Sequence, residues 1–418
     1  MRMKKRVIIV GGGASGLTAA IQAARAGADV TVLEHMDRPG KKILSTGNGK
    51  CNMTNRFLSP SCYRSSQPEF PMKALSDFSV EQAIDFFKGL GILPKDKNGY
   101  IYPNSEQASS VLDVLRLEND RLGVKILCGR HVKEIRRKKA GGFQAVCLVK
   151  TEDRETEEVF SCDSLILAAG SKAAPSTGSD GSGYDLAEAL GHRIIKPLPA
   201  LVQLICSGRE FKALAGIRTE AFVRIFDNGR LLAEERGELQ LTDYGISGIP
   251  VFQVSRYAAV ALDKGRKVTA VIDLLPSMGE KELLDFLMER KKHSGYKKGG
   301  DFLTGVLNKK LAQVLLKKAG ISIEESISRA DSGKIKELAR LISRFEADVT
   351  GTKPFANAQV CCGGVDTREV DERTMESRLV PGLYFSGEIL DVDGICGGYN
   401  LQWAWSSGSI AGKAAAGS

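Results

Sequence analysis

The sequence contains no run of about 18 to 20 consecutive apolar residues, the length that a membrane-spanning helix needs, so we do not expect an integral membrane protein. Histidine is scarce: four residues stand singly at positions 35, 131, 192 and 293. Neither a metal site nor a histidine-based catalytic triad is therefore expected. The nine cysteines are an odd number without the spacing of a disulfide framework, which favours a reduced protein in the cytoplasm.

Thiol redox motifs are also missing. Cys51 is followed only by Cys62, too far away for the C-x4-C pair of disulfide reductases. We interpret Cys361, Cys362 and Cys396 as buried core residues rather than a redox or metal cluster, although their role stays open. No second GxGxxG follows a strand, because residues 178–183 have a different spacing. A separate nicotinamide-binding domain is not expected.

Length and composition describe an ordinary globular enzyme. The 418 residues, 43% hydrophobic and 26% charged, predict two or three units and exclude a small binding module or a disordered chain. The net charge is +9, and residues 276–345 hold 15 Lys and Arg against 9 Asp and Glu. We interpret this excess as a solvated helical face, since aromatic residues do not interleave with the lysines as in a nucleic-acid groove.

The first 34 residues predict a strand, a tight turn, a helix and a second, parallel strand. The glycines at 11, 13 and 16 match GxGxxG directly after the first strand. In this motif Gly11 permits the turn, Gly13 lets the backbone approach a pyrophosphate, and Gly16 allows close packing of helix and strand. Glu34 ends the second strand, where a carboxylate accepts hydrogen bonds from a ribose diol. Because Glu34 would repel a 2′-phosphate, NAD and FAD remain the candidates at this site.

Later segments favour FAD. Residues 35–52 form a glycine-rich loop with Lys41, Lys42 and Lys50, which resembles the second phosphate- and flavin-contacting segment of glutathione-reductase-like FAD proteins. Residues 165–171, 383–388 and 397–402 resemble further segments of that fold, in the expected order. The last of these opens a helix whose N-terminus can stabilise negative charge on a reduced flavin.

A narrower resemblance rests on residues 41–55, 241–248 and 375–388. These motifs are similar to a bacterial family of FAD-dependent oxidoreductases that includes aminoacetone oxidases and proposed bile-acid-pathway reductases. The resemblance implies an α/β fold: a discontinuous Rossmann-like FAD-binding domain (1–195 and 346–418), an inserted β-barrel-like domain (196–275) and a helical subdomain (276–345). Cys361 and Cys362 depart from the glycine-rich pattern of the family at that place.

The resemblance and the motifs together assign candidate site residues. Those expected to contact FAD are Gly11, Gly13, Ala14, Ser15, Gly16, Glu34, His35, Lys42, Gly49, Asn52, Val132, Ala169, Gly170, Gly387, Glu388, Asn400 and Leu401. No catalytic residue is identified; the candidates for acid-base or positioning work are Tyr100, Tyr102, Asp391, Asp393 and Tyr399.

The expected function is an FAD-dependent oxidoreductase that transfers hydride through flavin N5 between NADH or NADPH and a small or steroid-like unsaturated substrate. Two other enzymes remain open: an aminoacetone-type amine oxidase that uses oxygen, and an RNA-modifying flavoprotein that docks through the basic helices. A non-catalytic flavin sensor is a further alternative. The expected partner is a small molecule, not a nucleic acid or a membrane. The sequence does not identify the substrate, the hydride donor or the oligomeric state.

Overall fold

Short apolar strands alternate with helices along most of the chain. The structure, a computed structural model, describes residues 4–150 and 155–417. The helices are α1 (Ala14–Arg25), α2 (Lys41–Ser45), α3 (Phe70–Asp77), α4 (Val80–Gly89), α5 (Ala108–Arg121), α6 (Ser182–Ala189), α7 (Glu210–Leu214), α8 (Ile249–Asp263), α9 (Glu280–Ser294), α10 (Lys309–Lys318), α11 (Ser332–Ser343) and α12 (Tyr399–Gly417). The strands are β1 (Arg6–Val10), β2 (Asp29–Leu33), β3 (Thr54–Asn55), β4 (Tyr63–Arg64), β5 (Pro94–Lys97), β6 (Tyr100–Pro103), β7 (Lys125–Leu127), β8 (His131–Arg137), β9 (Phe143–Lys150), β10 (Glu155–Cys162), β11 (Ser164–Leu167), β12 (Ile194–Ala200), β13 (Leu204–Cys206), β14 (Arg218–Asp227), β15 (Arg230–Thr242), β16 (Gly245–Gly248), β17 (Val268–Asp273), β18 (Phe345–Thr352), β19 (Val360–Val365), β20 (Leu383–Phe385) and β21 (Asp393–Gly394).

A five-stranded parallel sheet in the order β20-β11-β1-β2-β7 organises the first unit, which comprises residues 1–198 and 359–418. Four consecutive residues of β1, Val7 to Val10, are buried, as expected for a parallel strand covered on both faces. Their β-branched side chains also suit the pleated surface. The strand, helix and strand predicted for the first 34 residues correspond to β1, α1 and β2.

The last helix of the chain packs directly on the first. A Cβ atom added at Gly408 would lie 2.4 Å from the Ser15 carbonyl oxygen, and one at Gly412 would lie 2.2 Å from that of Ala19. Both positions therefore require glycine, because the backbone of α12 touches the backbone of α1. This contact joins the two ends of the chain in one unit.

The second unit, residues 199–358, contains a closed barrel in the order β13-β16-β15-β14-β17-β18. Apolar residues of α9, α10 and α11, such as Leu283, Leu311 and Leu338, share one buried cluster with the barrel strands. The sequence assigned residues from 346 onward to the FAD-binding domain. The structure instead places β18 in the barrel, because β18 hydrogen-bonds to β17 and β13.

The fold class predicted from the sequence is confirmed as a Rossmann-like α/β fold with a six-stranded barrel and helices inserted into it. No helix within residues 4–150 and 155–417 is both long enough and apolar enough to cross a lipid bilayer.

Candidate functional site

The turn between β1 and α1 is closed by backbone contacts. Gly11 has φ = 104°, and a Cβ atom there would lie 2.5 Å from the carbonyl oxygen of Ala168, at the end of β11. A Cβ atom at Gly16 would lie 2.0 Å from the Gly11 carbonyl oxygen. Any larger residue at either position would push the helix away from the sheet. The motif glycines thus bring the start of α1 against the turn that contains Ala169 and Gly170.

Gly13 is the N-cap residue of α1, and it leaves space beside the helix N-terminus. No side chain caps this end, and the first turn carries no acidic residue. Apart from Gly13 and its chain neighbours Gly12 and Ala14, no described residue has an atom within 4 Å of a Cβ atom added at Gly13. The first-turn N–H groups, which include those of Ala14 and Ser15, have no intrahelical partner and favour an anion.

The Glu34 carboxylate is fixed at the end of β2. Its Oε2 accepts a hydrogen bond from the Gly12 N–H at 2.7 Å, and its Oε1 accepts one from the Met36 N–H at 2.8 Å. Each carboxylate oxygen keeps a further lone pair, which a ribose hydroxyl can use. His35 lies beside it, with Nδ1 3.7 Å from Glu34 Oε1, and packs edge-on against His131.

Lys42 and Glu388, predicted from distant segments, form an ion pair. The distance from Lys42 Nζ to Glu388 Oε2 is 2.6 Å, and both side chains are at most a quarter exposed. Ser171 Oγ donates to the same carboxylate oxygen at 3.3 Å, and Lys42 Nζ donates to the Ala173 carbonyl. Lys41 pairs instead with Asp37. Of the three loop lysines, Lys42 is the one that reaches this site, since Lys50 pairs with a carboxylate elsewhere.

Gly387 attaches the turn after β20 to the first helix. It has φ = 77°, and a Cβ atom there would lie 2.5 Å from Ser15 Oγ. Its N–H donates to Ser407 Oγ at 2.9 Å, and Trp403 Nε1 donates to its carbonyl at 3.1 Å. The structure therefore brings residues 11–16, 169–171 and 387–388 together.

A second group of predicted residues surrounds Asn52. A Cβ atom at Gly398 would lie 2.9 Å from Asn52 Oδ1, so the loop before α12 touches the loop after α2. Asn52 is only 8% exposed, yet its Oδ1 has no hydrogen-bond partner among the described residues. Gly49, in the same loop, has φ = 81° and no close neighbour on its Cβ side. A buried acceptor without a partner is costly, and a bound ligand that donates a hydrogen bond would satisfy it.

Several candidate polar residues are already engaged by the backbone. Asp391 is 3% exposed and accepts hydrogen bonds from the N–H groups of Ser66 (2.8 Å) and Gly363 (3.1 Å). Asn400 bonds to both the N–H and the carbonyl of Gly394 through its side-chain amide. These side chains hold loops in place.

The remaining candidates differ in exposure. Tyr399 donates its hydroxyl to the Phe57 carbonyl at 2.7 Å, and burial raises its pKa. Asp393 is also buried. Burial raises the pKa of Tyr102 as well, although this ring is only partly covered, and Tyr100 is 42% exposed. Tyr100 and Tyr102 are thus the candidates with ring surface available to a ligand.

Two predicted contact residues are apolar packing residues. Val132, on β8, is 5% exposed and belongs to the core around the parallel sheet. Leu401, on α12, is half-buried against a second apolar cluster. Their side chains support the site, and only their backbone groups could hydrogen-bond to a ligand.

Tyr184 is a residue that the sequence reasoning missed. Its hydroxyl is buried and has no hydrogen-bond partner among the described residues. The neighbouring Gly183 packs closely on Ala169, since an added Cβ would lie 2.6 Å from the Ala169 Cβ. Burial raises the pKa of Tyr184 well above its ordinary value, and the charge of Glu388 adds to this effect. The sequence signal near Tyr184 is the glycine-rich run 178–183, which the sequence analysis used only to exclude a second GxGxxG motif.

Seven of the nine cysteines are buried, and Cys128 and Cys396 are partly exposed. Burial raises the pKa of Cys51 to about 12 and also raises that of Cys361. None of the nine cysteines, all of which lie in the described residues, forms a disulfide bond. In the described part of the chain, no group of three or more His, Cys, Asp or Glu side chains could hold a metal ion.

Comparisons with known proteins place this chain in a family. The chain is 44% identical, over 413 residues, to a 3-dehydro-bile acid delta(4,6)-reductase of Clostridium scindens; the match covers 98% of this chain and 99% of the relative. It is 33% identical to a ribosomal RNA dihydrouridine synthase of Haemophilus influenzae, with 96% of each protein covered. A flavocytochrome c3 fumarate reductase has a similar fold, with a TM-score of 0.50 and 15% identity over 99% of this chain and 78% of that one.

The resemblance inferred from the motifs is confirmed by the first relative and by a family match over nearly the whole chain. Residues 5–414 match the family described as the HI0933-like protein Rossmann domain, and the chain belongs to that family.

Proposed function

We propose that this protein binds FAD and reduces a carbon–carbon double bond conjugated to a carbonyl group in a steroid-like molecule. The observation that carries the substrate class is the 44% identity, along the full length of both chains, to a 3-dehydro-bile acid delta(4,6)-reductase. That name describes a 3-oxo steroid whose double bonds at positions 4 and 6 are reduced. The conjugated carbonyl makes the distant alkene carbon electrophilic, so a hydride adds there and a proton adds at the adjacent carbon.

The residues present fit FAD. The uncapped N-terminus of α1 beside Gly13 suits the pyrophosphate, and Glu34 retains lone pairs for the adenosine ribose. Glu388, held by Lys42, can accept hydrogen bonds from the ribityl hydroxyls. The partnerless Asn52 Oδ1 can accept from a donor on the flavin side of the site. Bound FAD would supply a two-electron hydride carrier, and the chain's residues would bind and orient it.

We further propose NADH or NADPH as a transient hydride donor. An anaerobic mixing experiment tests this donor and separates the reductase from an amine oxidase. The FAD-loaded protein is mixed with each nicotinamide, and flavin absorbance is followed before and after oxygen is admitted. Bleaching by a nicotinamide followed by slow return in air supports the reductase. Bleaching by aminoacetone alone, with fast return in air, would support the oxidase instead.

A ribosomal RNA dihydrouridine synthase is the second candidate function. Its support is the 33% identity to the relative of that name, because dihydrouridine also forms by reduction of a double bond conjugated to a carbonyl. A surface feature agrees: Tyr296 is 81% exposed within the lysine-rich residues 291–298, and Lys297 Nζ lies 5.9 Å from its ring centre. An exposed aromatic among cations suits a single-stranded nucleic acid. The sequence interpretation of this region had overlooked that aromatic residue.

Product analysis decides between the two reductions. The FAD-loaded protein is incubated with a nicotinamide and either the 3-oxo-4,6-diene steroid or ribosomal RNA that lacks dihydrouridine. Mass spectrometry then measures a gain of two hydrogens in the steroid or in one uridine. We expect reduction of the steroid; reduction of the RNA alone would replace the first proposal with the second.

A further inference from the structure

One face of a small antiparallel sheet combines aromatic rings with cations. In the sheet β3-β6-β5, Lys95 lies opposite Tyr102, Lys97 lies opposite Tyr100, and Asn55 also lies opposite Tyr100. Side chains of directly opposed residues project from the same face of a sheet. Asn55 is buried, and the other four residues form one surface, which we name the tyrosine–lysine face. The intervening Ile101 is buried in the core on the other side.

Three lysines converge on one carboxylate at this face. Glu106 Oε1 lies 2.7 Å from Lys95 Nζ and 2.6 Å from Lys97 Nζ, and its Oε2 lies 3.1 Å from Lys50 Nζ. Three positive charges against one negative charge leave a local excess of +2. The lysine side chains are 40 to 51% exposed, so their ammonium groups remain accessible. The three lysines lower the pKa of Glu106.

The tyrosine–lysine face adjoins the loops around Asn52. A Cβ atom added at Gly397 would lie 3.0 Å from Tyr100 Cε1, and one at Gly47 would lie 3.7 Å from Tyr102 Cε1. Gly47 lies in the loop that carries the predicted FAD contacts Gly49 and Asn52, and Gly397 lies just before α12, which carries the predicted contacts Asn400 and Leu401. A ligand on this face would thus bind next to them.

We propose that the tyrosine–lysine face, together with Lys50, binds an anionic ligand that carries a ring system. The exposed surface of Tyr100 and Tyr102 packs against the ring, and the lysines bind its carboxylate or phosphate. Glu106 holds the lysines together in the free protein and competes with the ligand for them. The inference rests on the proposed function, because that function supplies two ligands with this chemistry: the side-chain carboxylate of a bile-acid-like substrate and the phosphates of a nicotinamide dinucleotide.

The test measures equilibrium binding to the FAD-loaded protein and to its Lys95→Gln/Lys97→Gln variant. The probes are a 3-oxo-4,6-diene steroid acid, its uncharged methyl ester, and oxidised NADP. Exposed charge contacts are individually weak, so we expect affinity for one anionic probe to fall about 3- to 10-fold. Affinity for the methyl ester should stay unchanged. The Lys88→Gln/Lys139→Gln variant removes two exposed lysines elsewhere and serves as the control.

A Glu106→Gln variant gives the opposite expectation. Removal of the competing carboxylate should strengthen binding of the same anionic probe about threefold and make it more sensitive to added salt. If Glu106 and the lysines only stabilised the sheet, the Glu106→Gln variant would bind each of the three probes as well as the wild type does, or less well. That result, or equal losses for the acid and the ester in the lysine variant, would overturn the inference.

The probes also identify which ligand uses the face. A loss confined to the steroid acid assigns the face to the substrate, and a loss confined to NADP assigns it to the hydride donor. If the wild type reduces the steroid but neither anionic probe responds, the inference fails while the proposed function stands. If the probes respond but no steroid is reduced, the proposed function fails and the anion site remains.

Discussion

Replacement of Gly13 by alanine isolates cofactor binding from folding. Gly13 has φ = −78°, which alanine adopts without strain, and an added Cβ would meet no atom within 4 Å of any described residue other than its chain neighbours. The protein itself therefore offers no obstacle to the added methyl group. A bound pyrophosphate would obstruct this methyl group, because the motif brings a phosphate close to the backbone at this residue.

The substitution should affect the stability of the cofactor-free protein less than it affects FAD binding. Alanine is a poorer N-cap than glycine, at a cost of roughly 0.5–1 kcal/mol, and its restriction of the unfolded chain offsets about 0.4–1 kcal/mol of this. The stability of the cofactor-free protein should change by less than about 1 kcal/mol. Forcing one methyl group into a close contact costs about 1–3 kcal/mol. The dissociation constant for FAD should thus rise by roughly 5- to 150-fold.

Thermal unfolding of the cofactor-free protein and fluorescence titration with FAD measure the two effects. Gly279→Ala is the matched control, because Gly279 is also an uncapped N-cap glycine with negative φ (−69°) and an open Cβ side, at α9. Gly16→Ala should instead impair folding, since its Cβ would lie 2.0 Å from a carbonyl oxygen. If Gly13→Ala bound FAD as tightly as Gly279→Ala, the pyrophosphate would not lie at this turn.

Three further predictions concern buried groups. Tyr184→Phe removes a buried hydroxyl that has no partner in the described residues, so the cofactor-free protein should gain up to ~1 kcal/mol of stability while the FAD dissociation constant rises about 3- to 10-fold. A gain in both stability and affinity for FAD would show that the hydroxyl does not reach the cofactor. The Arg121 guanidinium is the main cause that lowers the pKa of Glu118 from 4.5 to about 2, so this carboxylate stabilises the fold above pH 4.5 and loses its contribution as the pH falls towards 2. Glu118→Gln should cost roughly 1.5–3 kcal/mol at neutral pH and flatten the acid side of the stability profile measured by urea unfolding, and an unchanged profile would contradict this assignment. Cys51, with its pKa raised to about 12, should resist alkylation at neutral pH until the protein unfolds, as mass spectrometry can check; rapid labelling of the folded protein would argue for an open loop.

The first strand, turn and helix were predictable because their constraints are local. Gly11 and Gly16 lie five residues apart and contact each other, so the sequence motif contains the packing requirement itself. The position of β18 was not predictable in this way. Its partners β13 and β17 are distant in the chain, and its alternating burial fits a barrel strand as well as an edge strand of another sheet.

The same distinction between local and long-range constraints applies to the candidate site. The sequence named Lys42 and Glu388 separately from two glycine-rich segments. Their ion pair joins residues 346 positions apart, which no local pattern specifies. Tyr184 was missed because its importance lies in a hydroxyl without a partner, and the absence of a partner is visible only once its surroundings are known. The residues predicted to contact FAD remain predictions until binding is measured.

A single-turnover experiment tests the central claim most directly. The FAD-loaded protein is reduced without oxygen and mixed with a 3-oxo-4,6-diene steroid, while flavin absorbance and steroid product are followed together. We expect one steroid double bond to be reduced for each flavin that becomes oxidised. A flavin that stays reduced in the presence of the steroid, or a protein that takes up no FAD, would contradict it.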